Sequence, residues 1–114
     1  MNLKEYSKEA LEVKLYHEAE ISPLLSKILY LCCGLSGETG ELLEKVKKVV
    51  RDKNCHLSEE DRLLIQLEIG DLLWYLMAII DEFGFDPDKI LELNLLKIQD
   101  RVKREVLGGT GDKR

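Results

Sequence analysis

Two acidic pairs stand out by residue type and spacing. Glu38 and Glu41 are three apart, as are Glu68 and Asp71, and residues three apart on an α-helix share a face. The second pair sits among Leu64, Leu67, Leu72, Trp74 and Tyr75, so it does not belong to a solvated stripe. A buried carboxylate without a partner is costly or becomes protonated, and a second one beside it raises the cost of ionising both. With both pairs pointing into one core, four negative charges would meet. A hard divalent cation neutralises such a set, and oxygen-only ligation selects Mg²⁺, or Mn²⁺ as its substitute, over zinc or copper. Glu38 and Glu41 taken alone read as a surface pair, with Lys45 on the same face as an ordinary ion-pair partner. The apolar neighbours of Glu68 and Asp71 argue for the metal site instead.

Asn94, Lys97 and Arg101 fall at helical spacings of three and four and form one polar row. Lysine and arginine match phosphate oxygens in charge and hydrogen-bonding geometry; the same row also reads as the solvated face of a terminal helix. Gly34, Gly37 and Gly40 recur every third residue. They permit close approach of a helix or a phosphate, or else mark a packing groove or kink. They are not a P-loop, because no strand precedes them and no Gly-Lys-Ser/Thr ends them; Gly108-Gly109-Thr110-Gly111 fails the same test. Cys32, Cys33 and Cys55 cannot form a complete disulfide set, and free, mostly buried thiols in a reducing cytosol are expected. Together with His56 they lack the spacing of a zinc site.

Four helical segments must position these groups. Leu3, Tyr6, Ala10, Val13 and His17 mark one side of a first helix over about Leu3 to Ala19. Ser22-Pro23 starts a second, running to about Arg51 with a bend near its glycines, since serine caps and proline fits the first turn. Ser58 and Asp61 make a weak capping box for a third, to about Phe83. Asp86-Pro87 starts a fourth, to about Lys103. The stretch LLIQLEIGDLLWYLMAII (63–80) is apolar nearly all round, so the third helix should be buried on several sides, with Trp74 and Tyr75 in the core. Short connections between helices imply antiparallel neighbours. The expected architecture is all-α, a four-helix bundle-like single domain over residues 1–107, completed by oligomerisation, with a flexible tail at 108–114.

Composition narrows the function. The chain of 114 residues fits one domain. Its net charge of −5 disfavours a nucleic-acid polymer, whose binding requires cations to neutralise phosphates. The longest uninterrupted apolar run, Leu72 to Ile80, is too short for a bilayer, which needs about 20 residues. The first residues, MNLKEYSKEALE, do not look like a leader, so a cytoplasmic location is expected.

GLSGETGELLEKVKK (34–48), EIGDLLWYL (68–76) and NLLKIQDR (94–101) together resemble the MazG-like branch of the all-α nucleoside triphosphate pyrophosphohydrolases. The family's metal motif, Glu-x-x-Glu, a spacer, then Glu-x-x-Asp, maps onto Glu38, Glu41, Glu68 and Asp71, with residues 42 to 67 as spacer. The resemblance covers about Leu31 to Arg101. It implies Mg²⁺ on the four carboxylates and phosphate contacts from Asn94, Lys97 and Arg101. It further implies hydrolysis of nucleoside triphosphates to monophosphate and pyrophosphate by a homodimer or homotetramer. Glu41 is the carboxylate expected to accept the proton of the attacking water. The N-terminal helix matches no motif of the family, so nothing in the resemblance assigns base recognition to Tyr6, Tyr16 or His17, and His17 reads as a packing or surface residue. One rival, a di-iron oxidoreductase bundle, requires Glu-x-x-His, which neither His17 nor His56 supplies. The other is a non-catalytic helical interaction module whose carboxylates only form ion pairs.

Overall fold

The computed structural model describes residues 1–13, 20–105 and 108. It contains four α-helices: α1 Leu3–Ala10, α2 Pro23–Asp52, α3 Glu59–Phe83 and α4 Pro87–Lys103. There is no strand among the described residues. The all-α expectation holds, and α2, α3 and α4 start where their capping residues said they would, while the cap of α1 is new. Asn2 closes a capping box with Glu5 on α1; Ser22 accepts from the Leu25 N–H ahead of α2; Ser58 and Asp61 form a complete box on α3; Asp86 caps α4. α1 ends at Ala10 and tightens into a 3₁₀ turn over Leu11–Val13, so the predicted first helix is shorter in its described part. Tyr16, His17 and the tail beyond Gly108 lie outside the described residues.

α2 and α3 form an antiparallel hairpin, the one extensively packed pair of helices among the described residues. Covered positions on α2 include 28, 31, 35, 38, 42, 45 and 49, with 34 and 44 beside them, and on α3 they include 61, 65, 68, 72, 75, 79 and 82, with 78 and 80 beside them. That alternation of threes and fours is the seam of a coiled-coil-like pair. α2 runs without a break through Gly34, Gly37 and Gly40. Only Gly34 is required by packing: a Cβ there would run into the Tyr75 ring, whereas one at Gly37 or Gly40 would meet open space. The hairpin's closed end uses positive φ at Asn54 (48°) and Cys55 (62°) to return the chain. α3 stops at left-handed Gly84, where the Phe85 N–H reaches back to the Ile80 carbonyl at 3.0 Å.

The expected burial of α3 on several sides is not met within one chain. Leu63, Leu67, Leu73, Trp74 and Met77 are exposed, Trp74 by 61%. The reason is geometric: α4 does not pack along α2 or α3, so little of α3 besides the seam stripe is covered. The radius of gyration, 20.0 Å, exceeds the roughly 13 Å of a compact domain near this length. Cys32, Cys33 and Cys55 are free, as expected, but exposed rather than buried, because they lie off the seam. By length and hydropathy alone α3 could cross a membrane. Glu68 and Asp71 at its middle argue otherwise, since each charge at a bilayer centre costs at least about 2.5 kcal/mol.

Candidate metal centre

The seam holds charges where a coiled coil would place leucines. Glu38 and Lys45 from α2 and Glu68 from α3 occupy covered seam positions, and Asp71 stands beside them, more exposed. Because the helices run antiparallel, Glu38 meets both members of the α3 pair. One carboxylate oxygen from each of Glu38, Glu68 and Asp71 lies within 4.8 Å of the others. Burial pushes the Glu38 carboxyl above its usual range, and the like charges of Asp71, Glu68 and Glu41 push it further.

Glu41, the fourth predicted ligand, is exposed and stands outside this trio, though close enough for its charge to act on Glu38. Lys45 does not neutralise Glu38 along its own helix. It crosses the seam to Glu68, Nζ to Oε1 at 3.5 Å, with only 15% of the Glu68 side chain exposed. The local balance is thus three clustered carboxylates against one ammonium. The donors are all oxygen, they converge, and a lysine already stands in as a cation. These features fit a hard divalent cation.

The closed end of the hairpin carries a second polar cluster. Lys53 Nζ donates to Asp61 Oδ1 at 2.6 Å, and Ser58 N and Oγ donate to Asp61 Oδ2 at 3.1 and 2.7 Å. The Lys53 hydrogen bond first, then those from Ser58, hold the Asp61 carboxyl at about 2. Asp61 is buried and ties the end of α2 to the start of α3. It fixes the register that brings Glu38 to Glu68.

The predicted phosphate row on α4 is not carried to the carboxylates by packing within the chain. Asn94 and Lys97 border a shallow groove with Ile90 and Leu93, and Arg101 is buried. Sequence reasoning missed Lys45 as a cross-helix partner of Glu68 and Lys53 as the partner of Asp61. The three-four alternation from Ile28 to Val49 was the available signal for Lys45.

The family model described as "MazG nucleotide pyrophosphohydrolase domain" matches residues 27–106, which take in α2 from Lys27 onward, α3 and α4. The chain belongs to the MazG family. A relative, the gene 37 protein of Mycobacterium phage L5, is 33% identical over 114 residues, covering 100% of both chains. No solved structure matches. Both acidic pairs of this MazG domain and the α4 row fall inside the matched residues, whereas α1 lies before them.

Proposed function

We propose that the chain hydrolyses nucleoside or deoxynucleoside triphosphates to the monophosphate and pyrophosphate, using Mg²⁺ with Mn²⁺ as a substitute. The observation that carries this reading is the convergence of Glu38, Glu68 and Asp71 oxygens within 4.8 Å, in a chain of the MazG family. These three side chains would hold the cation, whose chemistry when bound is to neutralise phosphate charge and acidify water. Glu41 stays outside the trio and exposed, which suits it to accept a proton from the attacking water. Asn94, Lys97 and Arg101 would grip phosphate once a second copy completes the bundle. The uncovered apolar faces of α3 and α4, including Leu67, Trp74, Leu91 and Leu95, support assembly as a homodimer or homotetramer. We place the activity in the cytoplasm, clearing or balancing the nucleotide pool, with no polymer or membrane partner.

The test is pyrophosphate release from a panel of nucleoside triphosphates, with and without Mg²⁺, alongside light scattering for the assembly state. Release that requires the metal supports the reading. A chain that is inert on every nucleotide with Mg²⁺ or Mn²⁺ present overturns it in favour of an interaction module.

A further inference from the structure

A cleft of about 320 Å³ opens at the closed end of the hairpin, walled by Lys45, Lys48, Lys53, Asp52 and Asp61 over a floor of Leu64 and Ile65. Its size is at the lower end of ordinary ligand pockets. Its charges are unequally committed. Asp52 is held bidentate by Arg51, at 2.7 and 2.8 Å. Asp61 is saturated by Lys53 at 2.6 Å and by Ser58. Asp61 is therefore matched inside the wall, where it fixes Lys53, and Asp52, on the exposed rim, takes its main partner from Arg51 with weaker attraction from Lys48 and Lys47.

The other two lysines are held loosely. Lys48 is half-exposed and 3.4 Å from Glu44, which Lys47 already serves at 2.7 Å. Exposed pairs of this kind contribute at most about 1 kcal/mol and exchange readily. Lys45 lies 3.5 Å from Glu68, longer than the 2.7–2.9 Å of a charge-assisted hydrogen bond. What the cleft leaves uncompensated is positive. Lys45 and Lys48, three apart on α2, present that charge from one helix face. Lys45 also links the cleft to the carboxylate trio.

We propose that this cleft seats an anionic phosphate group of the substrate, gripped by Lys45 and Lys48, and that Lys45 alternates between two partners. In the cation-free protein its ammonium compensates Glu68. With Glu68 engaged as a metal ligand, the same ammonium turns to the phosphate. This assignment rests on the hydrolase reading above and adds a seat on the hairpin itself, separate from the α4 row.

The test uses inorganic pyrophosphate as probe, by calorimetry on the full chain at fixed Mg²⁺, together with a Mn²⁺ titration without phosphate. Lys45→Met and Lys48→Met should each weaken pyrophosphate binding about tenfold, the loss typical of one charge-assisted contact. Lys45→Arg should retain it. Mn²⁺ should bind Lys45→Met several-fold more tightly than the parent, and Lys48→Met unchanged. Unaltered melting temperatures confirm that the variants fold. If Mn²⁺ binds and nucleotides are cleaved, yet pyrophosphate affinity is indifferent to both lysines and falls in Lys97→Met, the cleft assignment is overturned and the hydrolase reading stands. If the parent neither binds Mn²⁺ nor cleaves any nucleotide, both are overturned.

Discussion

Two polar clusters interrupt the α2–α3 seam, and they follow opposite rules. At the closed end, Asp61 has three hydrogen bonds from Lys53 and Ser58 for a single charge. In the middle, oxygens of Glu38, Glu68 and Asp71 lie within 4.8 Å of one another, with one lysine 3.5 Å from Glu68. The first cluster is self-sufficient, which is how a fold retains a buried charge. The second is short of positive charge by construction. A seam that could have held leucines, but holds Glu38 and Glu68 with Asp71 at its edge, keeps these acids at the expense of stability. Such local inconsistency marks functional sites. The difference separates what holds the hairpin from what the hairpin is for.

The comparison breaks most sharply on the middle cluster. Glu38→Gln and Glu68→Gln should each reduce pyrophosphate release by about a hundredfold or more, on the scale of losing a metal's contribution to catalysis. The melting temperature of Glu38→Gln should hold or rise, because that change removes like-charge repulsion, whereas Glu68→Gln also gives up the Lys45 ion pair and should gain less. Glu41→Gln should leave the fold intact and cost on the order of 10²–10⁴ in turnover, the usual worth of a general base. Turnover and melting measured on the same samples decide it. Retained hydrolysis in Glu41→Gln removes Glu41 from the mechanism, and a marked loss of stability in Glu38→Gln would make the middle cluster structural like the other.

Packing between the clusters and the open end gives the next effect. Gly34 faces the Tyr75 ring, and Ala would force Cβ into it. Gly34→Ala should destabilise the hairpin by about 1–3 kcal/mol, as overpacking generally does, seen as an earlier denaturant midpoint. An unchanged midpoint would mean that the ring moves aside freely and that the helices are not held there.

How much of this was readable in advance depends on whether the signal is local. Helix starts were legible because Ser22, Ser58, Asp86 and the prolines act within a turn of themselves. The two acidic pairs were legible because spacing alone puts each on one face. Which residues cross the seam was not, since that depends on the register of two helices. Lys45 was assigned to Glu38 on its own helix and pairs with Glu68 on the other. Asp61 was read as half of a weak capping box, and its second role, receiving Lys53 from α2, is invisible along one helix. The surroundings of Trp74 and Cys32 were misjudged for a related reason. Apolar composition says that a surface prefers to be covered, but not that the same chain covers it.

The self-sufficient cluster should respond as a structural element. Ser58→Ala removes the cap of α3 and one of the donors to Asp61, and should cost about 1 kcal/mol. That lowers the melting temperature by roughly 5 °C in a chain of this size, with pyrophosphate release per folded molecule unchanged. Acid adds a sign. A carboxyl held at about 2 against about 3.9 when unfolded stabilises the fold while ionised. That contribution is complete above about pH 4 and disappears as pH falls toward 2. The parent should lose stability through that window, and Asp61→Asn should be flatter across it. A parent curve that stays flat from pH 4 to 2 would mean the staple does not hold Asp61 as described.

The smallest effect tests the space beside the middle cluster. Gly37 and Gly40 flank Glu38 on α2, and a Cβ on either meets nothing within 4 Å. In a helix interior, Ala is favoured over Gly by about 0.5–1 kcal/mol. If these glycines only loosen α2, Gly37→Ala and Gly40→Ala should raise the melting temperature by a few degrees and leave nucleotide cleavage alone. If a phosphate or a second copy of the chain lies against that face, the same methyl groups would stabilise the isolated hairpin while raising KM or weakening assembly. A gain in stability coupled to a loss of substrate affinity would show that open space next to the carboxylates is kept for something outside the chain. A gain without that loss would return both glycines to the packing of an ordinary helix.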